Sequence, residues 1–497
     1  MGLGGRRGPC LRRVSHLPPR LRVPAESQVV RVVPPAPHTR DERLHKQTET
    51  SPSDPRGPAR HDRDRIYYSA GFRRLAGVTQ VFTPDPSGFL THNRLTHSLK
   101  VAQVGRSLAE VLLARSDLHE VLESLGGLDA EVAEAAGLAH DVGHPPFGHI
   151  GEAVLDRYAR EHLSLPEGYE GNAQTFRIVA RVEPRSRKPN GLDLTAATRA
   201  AVLKYPWLRA GSVPAAEADV LTHLRWKKFG VYEEDREAYE SARSWVPLPE
   251  NVQSVEAAAM DIADDITYAL HDLEDFHESG LLDSTAAREA LTTWKQSFAG
   301  RDPQDPGPLV ENPFERLRAK LAKEYAVRFD AEAFEDAVTS VGAHLLQLQS
   351  ESVGTRRATA NTRRFVSQLI TDFVGAVQVQ DQPTWDQPPL MLENQHWHQV
   401  QLLKEITQQF VIQRPDLAVI QRGQQALLRG LLDDLVTWCE DAKDKRRLPG
   451  VLRESYGEYG NRGLLDYVSG LSDLQAVALH RALRGDGRHT LATSFTH

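Results

Sequence analysis

From position 62 onward, apolar residues recur every three to four positions, a spacing that predicts helices. The clearest runs are 99–113, 131–139, 255–276 and 402–411. Alternating β-branched runs with hairpin turns do not stand out, so the predicted class is all-α. Breakers divide the helices at Asp85-Pro86-Ser87-Gly88, at Pro145-Pro146, and from Glu183-Pro184 to Gly191. A longer one, Arg301-Asp302-Pro303 to Asn312-Pro313, marks a boundary between a region 61–300 and a C-terminal helical region 301–497 packing on it. Asp381-Gln382-Pro383 to Pro388-Pro389 reads as a further linking loop. No internal repeat of the solenoid kind is visible.

The first sixty residues break this pattern. Arg6, Arg7, Arg12, Arg13, Arg20 and Arg22 alternate with Pro18, Pro19 and Pro24, and Glu26 is the one acid before Asp41. Residues 1–60 therefore read as a disordered basic tail, or as the product of a start codon called too far upstream. At 497 residues the chain can bury a large core. A net charge of −7 argues against a general nucleic-acid coat, and the tail alone favours such a partner. Cys10 and Cys439 are too few for a disulfide framework or a cysteine zinc cluster, which fits a reducing cytoplasm. No apolar stretch approaches bilayer length, so no membrane span is expected.

Candidate chemistry centres on Gly137-Leu138-Ala139-His140-Asp141-Val142-Gly143-His144-Pro145-Pro146-Phe147-Gly148-His149, an apolar run ending in imidazoles and a carboxylate. An imidazole beside a carboxylate offers two donors to one divalent ion. Partners must come from elsewhere. Upstream, His97 lies at the start of an amphipathic helix. Downstream, Asp264, Tyr268 and Asp272 recur at four-residue spacing, off the stripe formed by Ile262, Ile266, Leu270 and Leu273. In an isolated helix such an acidic face points at water. His149 and Glu152 share a face if a helix begins after Pro145-Pro146.

These motifs resemble the HD-domain phosphohydrolases, and more closely the deoxyguanosinetriphosphate triphosphohydrolase-like (dNTPase) family. The resemblance rests on Asn93-Arg94-Leu95-Thr96-His97-Ser98, on His140 to His149 with Gly151-Glu152, and on Ala263-Asp264-Asp265-Ile266-Thr267-Tyr268 with His271 to Asp275. Weaker matches are Phe72-Arg73-Arg74-Leu75 with Thr79-Gln80-Val81, Asn172-Ala173-Gln174, Lys204-Tyr205-Pro206, Lys227-Lys228-Phe229-Gly230 and Asp466 to Gly470. Together they span about residues 62–484.

The resemblance implies an HD-domain helical bundle extended by a C-terminal helical lobe. It implies one divalent ion, Mn, Mg, Fe or Co, on His97, His140, Asp141 and Asp264. By the same resemblance His149 is the acid that protonates the departing 5′-oxygen, Glu152 orients it, and His144 is a further polar residue of that loop. Arg73, Arg94, Lys204 and Lys227 become phosphate contacts, with Arg74 and Lys228 as neighbouring candidates. Gln80 and Asp272 match positions that hold the sugar 3′-hydroxyl, and Tyr268 matches a ring lying against C2′. The implied reaction splits a deoxynucleoside triphosphate into deoxynucleoside and inorganic triphosphate. A homo-oligomer and a nucleotide activator are implied in the same way. The alternatives are an HD nucleotidase or phosphodiesterase acting on another nucleotide, and a non-catalytic nucleotide sensor or single-stranded nucleic-acid binder.

Overall fold

The computed structural model describes residues 39–44, 54–80, 93–185, 191–210, 220–302, 312–349 and 355–485. The expected breakers at 85–88 and 303–311, most of the 183–191 loop and the arginines before position 38 lie outside them. Among the described residues the fold is helical, with one small sheet. None of these helices is long and apolar enough to cross a membrane.

The elements that build the site are α1 (Arg94–Leu113), α2 (Ala130–Ala139), α3 (His149–His162), α4 (Gly171–Arg177) and α5 (Val255–Glu278). The C-terminal elements used below are β1 (Val377–Val379), β2 (Leu390–Leu392), α6 (Asn394–Thr407), α7 (Pro415–Glu440), α8 (Asn461–Ser469) and α9 (Asp473–Leu483). Helix starts follow ordinary capping chemistry. Asn93 accepts from Thr96 N, whose hydroxyl faces Asn93 N in return, Asp129 accepts from Glu131 N and Val132 N, and Ser254 accepts from Ala257 N.

The apolar stripes meet as their spacing requires. Val101, Val104 and Leu108 of α1 pack with Ala259, Ala263, Ile266 and Leu270 of α5, and Leu403 and Ile406 of α6 close the same core. Helices α1 and α2 approach to backbone contact. A Cβ at Gly137 would lie 2.6 Å from Ala102 Cα, so glycine there brings the end of α2 close to His97. Helix α3 takes its apolar partners from the C-terminal half instead. Leu155 and Ala159 pack against Leu428, Leu431 and Leu432 of α7 and Leu464, Leu465 and Val468 of α8.

Two local expectations are corrected. The Asp381–Pro389 segment, read as a linker, connects a hairpin in which Val377 pairs Leu392 and Val379 pairs Leu390. Three-residue strands with a long connection carry too few alternations to register as a strand pattern. Ordered packing also begins inside the stretch assigned to the tail. Arg40 pairs with the buried Glu256 at 2.5 Å, Arg43 with the buried Asp62 at 2.6 Å, and a helix starts at Pro58. Buried acids further along the chain hold these arginines, and no local pattern near position 40 reveals such partners.

Helix α8 docks on α4 through a buried polar network. Asp466 accepts from Arg177 Nε at 2.9 Å and Nη2 at 2.9 Å, and from Gln174 Nε2 at 2.8 Å. Arg177 is fully buried and also reaches Asp235 at 3.3 Å. Removing one partner of such a pair leaves an uncompensated interior charge. Asp466→Ala is expected to lower unfolding free energy by about 3 kcal/mol, read as a drop in the urea midpoint. An unchanged midpoint would show that the network contributes nothing.

Candidate metal centre

His140 stands at the C-cap of α2, where the helix ends and its ring turns inward. Its Nδ1–H donates to Gly137 O at 2.8 Å, an orientation that leaves the Nε2 lone pair facing the site. Buried Nε2 has no hydrogen-bond partner. His97, one turn into α1, brings Nε2 to 3.0 Å from Asp264 Oδ1, and that same oxygen is 3.7 Å from His140 Nε2. Donor atoms of His97, His140 and Asp264 all lie within 4.8 Å of one another. Ligands about 2.1 Å from a shared ion sit about 3 Å apart at right angles, so this spacing accommodates one cation.

Asp141 joins from beside His140, with Oδ1 3.4 Å from His140 Nε2. Its other oxygen is taken by Arg94 Nη1 at 2.7 Å. Burial works against the charge on Asp141, yet Arg94, His140 and His144 together hold it well below the usual carboxylate range. Burial likewise opposes charge on Asp264, and Lys204 and His97 outweigh it. Burial would also neutralise His97, but hydrogen bonds to Asp264 and Asp272 lift it to about 10. A site that retains a proton so strongly has negative charge to spare for a metal ion. The orphaned His140 nitrogen, the ionised Asp264 and the imidazole–carboxylate donor set all fit a divalent ion, with His97, His140 and Asp264 as its holders and Asp141 alongside.

The remaining predicted residues divide. His149 opens α3, and its Nδ1 lies 3.0 Å from Glu152 Oε2. The ring is 71% exposed, whereas Glu152 is buried, so substrate could meet the imidazole from solvent with the carboxylate behind it. Burial disfavours the Glu152 charge, but the His149 hydrogen bond and Lys228 hold it well below its ordinary value. His144 lies between the two groups. Its Nδ1 is 3.0 Å from Asp141 Oδ1, and its ring meets that of His149 edge-on at 5.4 Å. Burial and the nearby Arg94 push His144 down to about 4, so it is neutral at pH 7.

Arg94 is buried with Nε and Nη2 unpartnered, donors free for an anion. Gly148, at φ +57°, sits beside them, and a Cβ there would come within 2.9 Å of Arg94 Nη2 and 3.2 Å of Thr79 O. Gln80 follows that Thr79 carbonyl, and its Oε1 is buried without a partner. Tyr268 and Asp272 share the α5 face with Asp264, and this acidic face is turned into the site instead of solvent. Burial raises the Tyr268 phenol, with Asp272 and Asp264 adding to the effect.

Three cation expectations change. Lys204 is drawn onto the metal-side carboxylates, 2.8 Å from both Asp264 Oδ2 and Asp261 Oδ1. Lys227 is exposed, and its neighbour Lys228 reaches the site, bridging Glu152 at 3.1 Å and Glu170 at 3.0 Å. Arg73 is exposed, whereas Arg74 points inward and donates to Val142 O and His144 O, both at 2.8 Å. Arg73 and Arg74 differ by their phase on one short helix, whereas Lys227 ends its helix and Lys228 lies just beyond that end, in the turn toward the buried Phe229. Sequence reasoning also missed Glu170 and Asp261. Asp261 carried a signal, lying three residues before Asp264 on one helix, and Glu170 had none.

This geometry is that of a helical, metal-dependent phosphohydrolase, and the comparisons agree. The HD domain model matches residues 94–269, and the phosphohydrolase-associated domain model matches residues 390–482. A deoxyguanosinetriphosphate triphosphohydrolase-like protein of Shewanella sp. (strain MR-4) is 30% identical, over 89% of this chain and 95% of that one. Those of Shewanella oneidensis (30%, 89% and 96%) and Shewanella baltica strain OS195 (29%, 89% and 95%) are similar. The chain belongs to the deoxyguanosinetriphosphate triphosphohydrolase-like family.

Proposed function

We propose that the protein hydrolyses deoxynucleoside triphosphates, releasing the deoxynucleoside and intact inorganic triphosphate. The observation that carries this reading is the placement of the His149–Glu152 pair across His144 from the His97–His140–Asp264 cluster. Cleavage next to the 5′-oxygen expels an alkoxide, which needs a proton donor on the leaving-group side. A divalent ion on His97, His140 and Asp264 would supply electrophilic activation of a phosphoryl oxygen and of water.

Within the chain, His149 protonates the 5′-oxygen, and Glu152, ionised and anchored by Lys228, fixes the imidazole ring. The free Nε and Nη2 of Arg94 receive a phosphate oxygen while Nη1 holds Asp141 in place. Asp272 accepts from the sugar hydroxyl, the side-chain amide of Gln80 holds the same hydroxyl by donating to its oxygen, and the Tyr268 ring leaves little room for a second one. The same reading assigns catalysis to residues 61–300 and a supporting role to the region from 301, in a homo-oligomer.

The test is product analysis. Purified protein with each dNTP, each NTP and a divalent ion should release triphosphate from deoxynucleotides, with ribonucleotides turned over more slowly. Pyrophosphate or orthophosphate as the first product would refute the proposed bond cleavage. Turnover confined to monophosphates or cyclic nucleotides would move the substrate assignment to another nucleotide.

A further inference from the structure

Asp473 is the first residue of α9, in the segment matched by the phosphohydrolase-associated domain, far along the chain from every predicted site residue. An acid at that position is ordinarily explained by the helix dipole. Here the cap is already supplied, because Ser472 and Gln475 form a reciprocal capping box. The Asp473 carboxylate, 5% exposed, turns away from its own helix. Its Oδ1 accepts from Phe147 N at 2.8 Å, and its Oδ2 accepts from Thr79 N at 3.1 Å and from the Thr79 hydroxyl.

Those two amides belong to the two strips of backbone that deliver substrate-side groups. Thr79 immediately precedes Gln80, and Phe147 lies two residues before His149. Phe147 has φ +63°, a left-handed conformation that is strained for a bulky side chain. Such strain persists only where the surroundings over-determine it. The neighbouring residues 471–473 supply the restraint. Arg74 donates to Leu471 O at 3.1 Å while also holding Val142 O and His144 O. One short segment therefore staples the 74–80 strip to the 142–149 loop.

We propose that Asp473 is a positioning residue for catalysis, fixing His149 and Gln80 relative to each other through the amides of Phe147 and Thr79. This inference rests on the hydrolase reading above. It makes the associated domain part of the catalytic apparatus, because α3 carries His149 and finds its apolar partners there too. Asp473→Asn keeps the volume but turns an NH2 group toward one set of N–H donors, so one side of the staple opens. Thr79→Val removes only the hydroxyl contact and serves where the first variant folds poorly. Leu474→Ala, at a side chain 75% exposed, is the control.

Two readouts are combined on the full-length protein. Amide hydrogen exchange without nucleotide should quicken at 79–80 and at 144, 147 and 148 in Asp473→Asn and, to a smaller extent, in Thr79→Val, with α2 and α5 unchanged. On the best nucleotide substrate kcat should fall about tenfold or more, as misplacement of reacting groups by fractions of an ångström does, with KM changed less than threefold. Unchanged exchange overturns the inference. Quickened exchange with wild-type kcat also overturns it, leaving Asp473 a structural anchor. A wild-type protein that turns over no nucleotide refutes the hydrolase reading, and with it the catalytic role of Asp473, while the exchange data still show whether the staple exists.

Discussion

Replacing His140 with alanine should abolish both tight divalent-ion binding and turnover while leaving the helices in place. The ring contributes a buried Nε2 that has no other partner, so its loss removes a donor without freeing a competing group. The structural penalty is small, since Gly137 O loses one hydrogen bond worth about 1 kcal/mol. The catalytic penalty is large. Electrophilic activation by a bound ion amounts to several kcal/mol, so the rate should fall by about a thousandfold or more. Mn2+ binding by calorimetry, set beside thermal unfolding, separates the two effects. Retention of one tightly bound ion by a folded His140→Ala protein would remove His140 from the ligand set.

His149→Ala should give the opposite pattern, with ion binding intact and kcat reduced by about 10²- to 10⁴-fold, the usual contribution of a general acid. The loss should depend on the leaving group. A nitrophenyl phosphate ester departs without protonation, so the variant should approach wild-type rates on it while failing on nucleotides. Glu152→Gln should produce a milder version, because the imidazole remains but the buried carboxylate that fixes it, 3.0 Å away, is gone. Equal losses on both kinds of ester would assign His149 to binding and leave proton donation to another group.

Much of this protein is legible along the chain because its signals are local. The start of α1 near His97 and the apolar stripe of α5 follow from three-to-four spacing of apolar residues. The end of α2 at His140 and the opening of α3 at His149 follow from the Pro145-Pro146 interruption between them. Helical phase within α5 was legible as well, since Asp264, Tyr268 and Asp272 share a face by arithmetic alone. Whether that face met water or a pocket was not, because burial depends on what packs opposite.

What the order of residues determined by itself was the helical class, the breaking points, and the residue types able to hold a divalent ion and move a proton. Tertiary structure alone decided which donors meet, with Asp264 brought to His97 and His140 across more than a hundred residues of chain. It also chose Lys228 over Lys227 and Arg74 over Arg73, and delivered Asp473 to a loop 326 residues away along the chain. The reason is physical. Caps and stripes arise from contacts within a turn or two of helix, whereas the fate of a charge is set by desolvation and by partners whose distance along the chain carries no information about their distance in space.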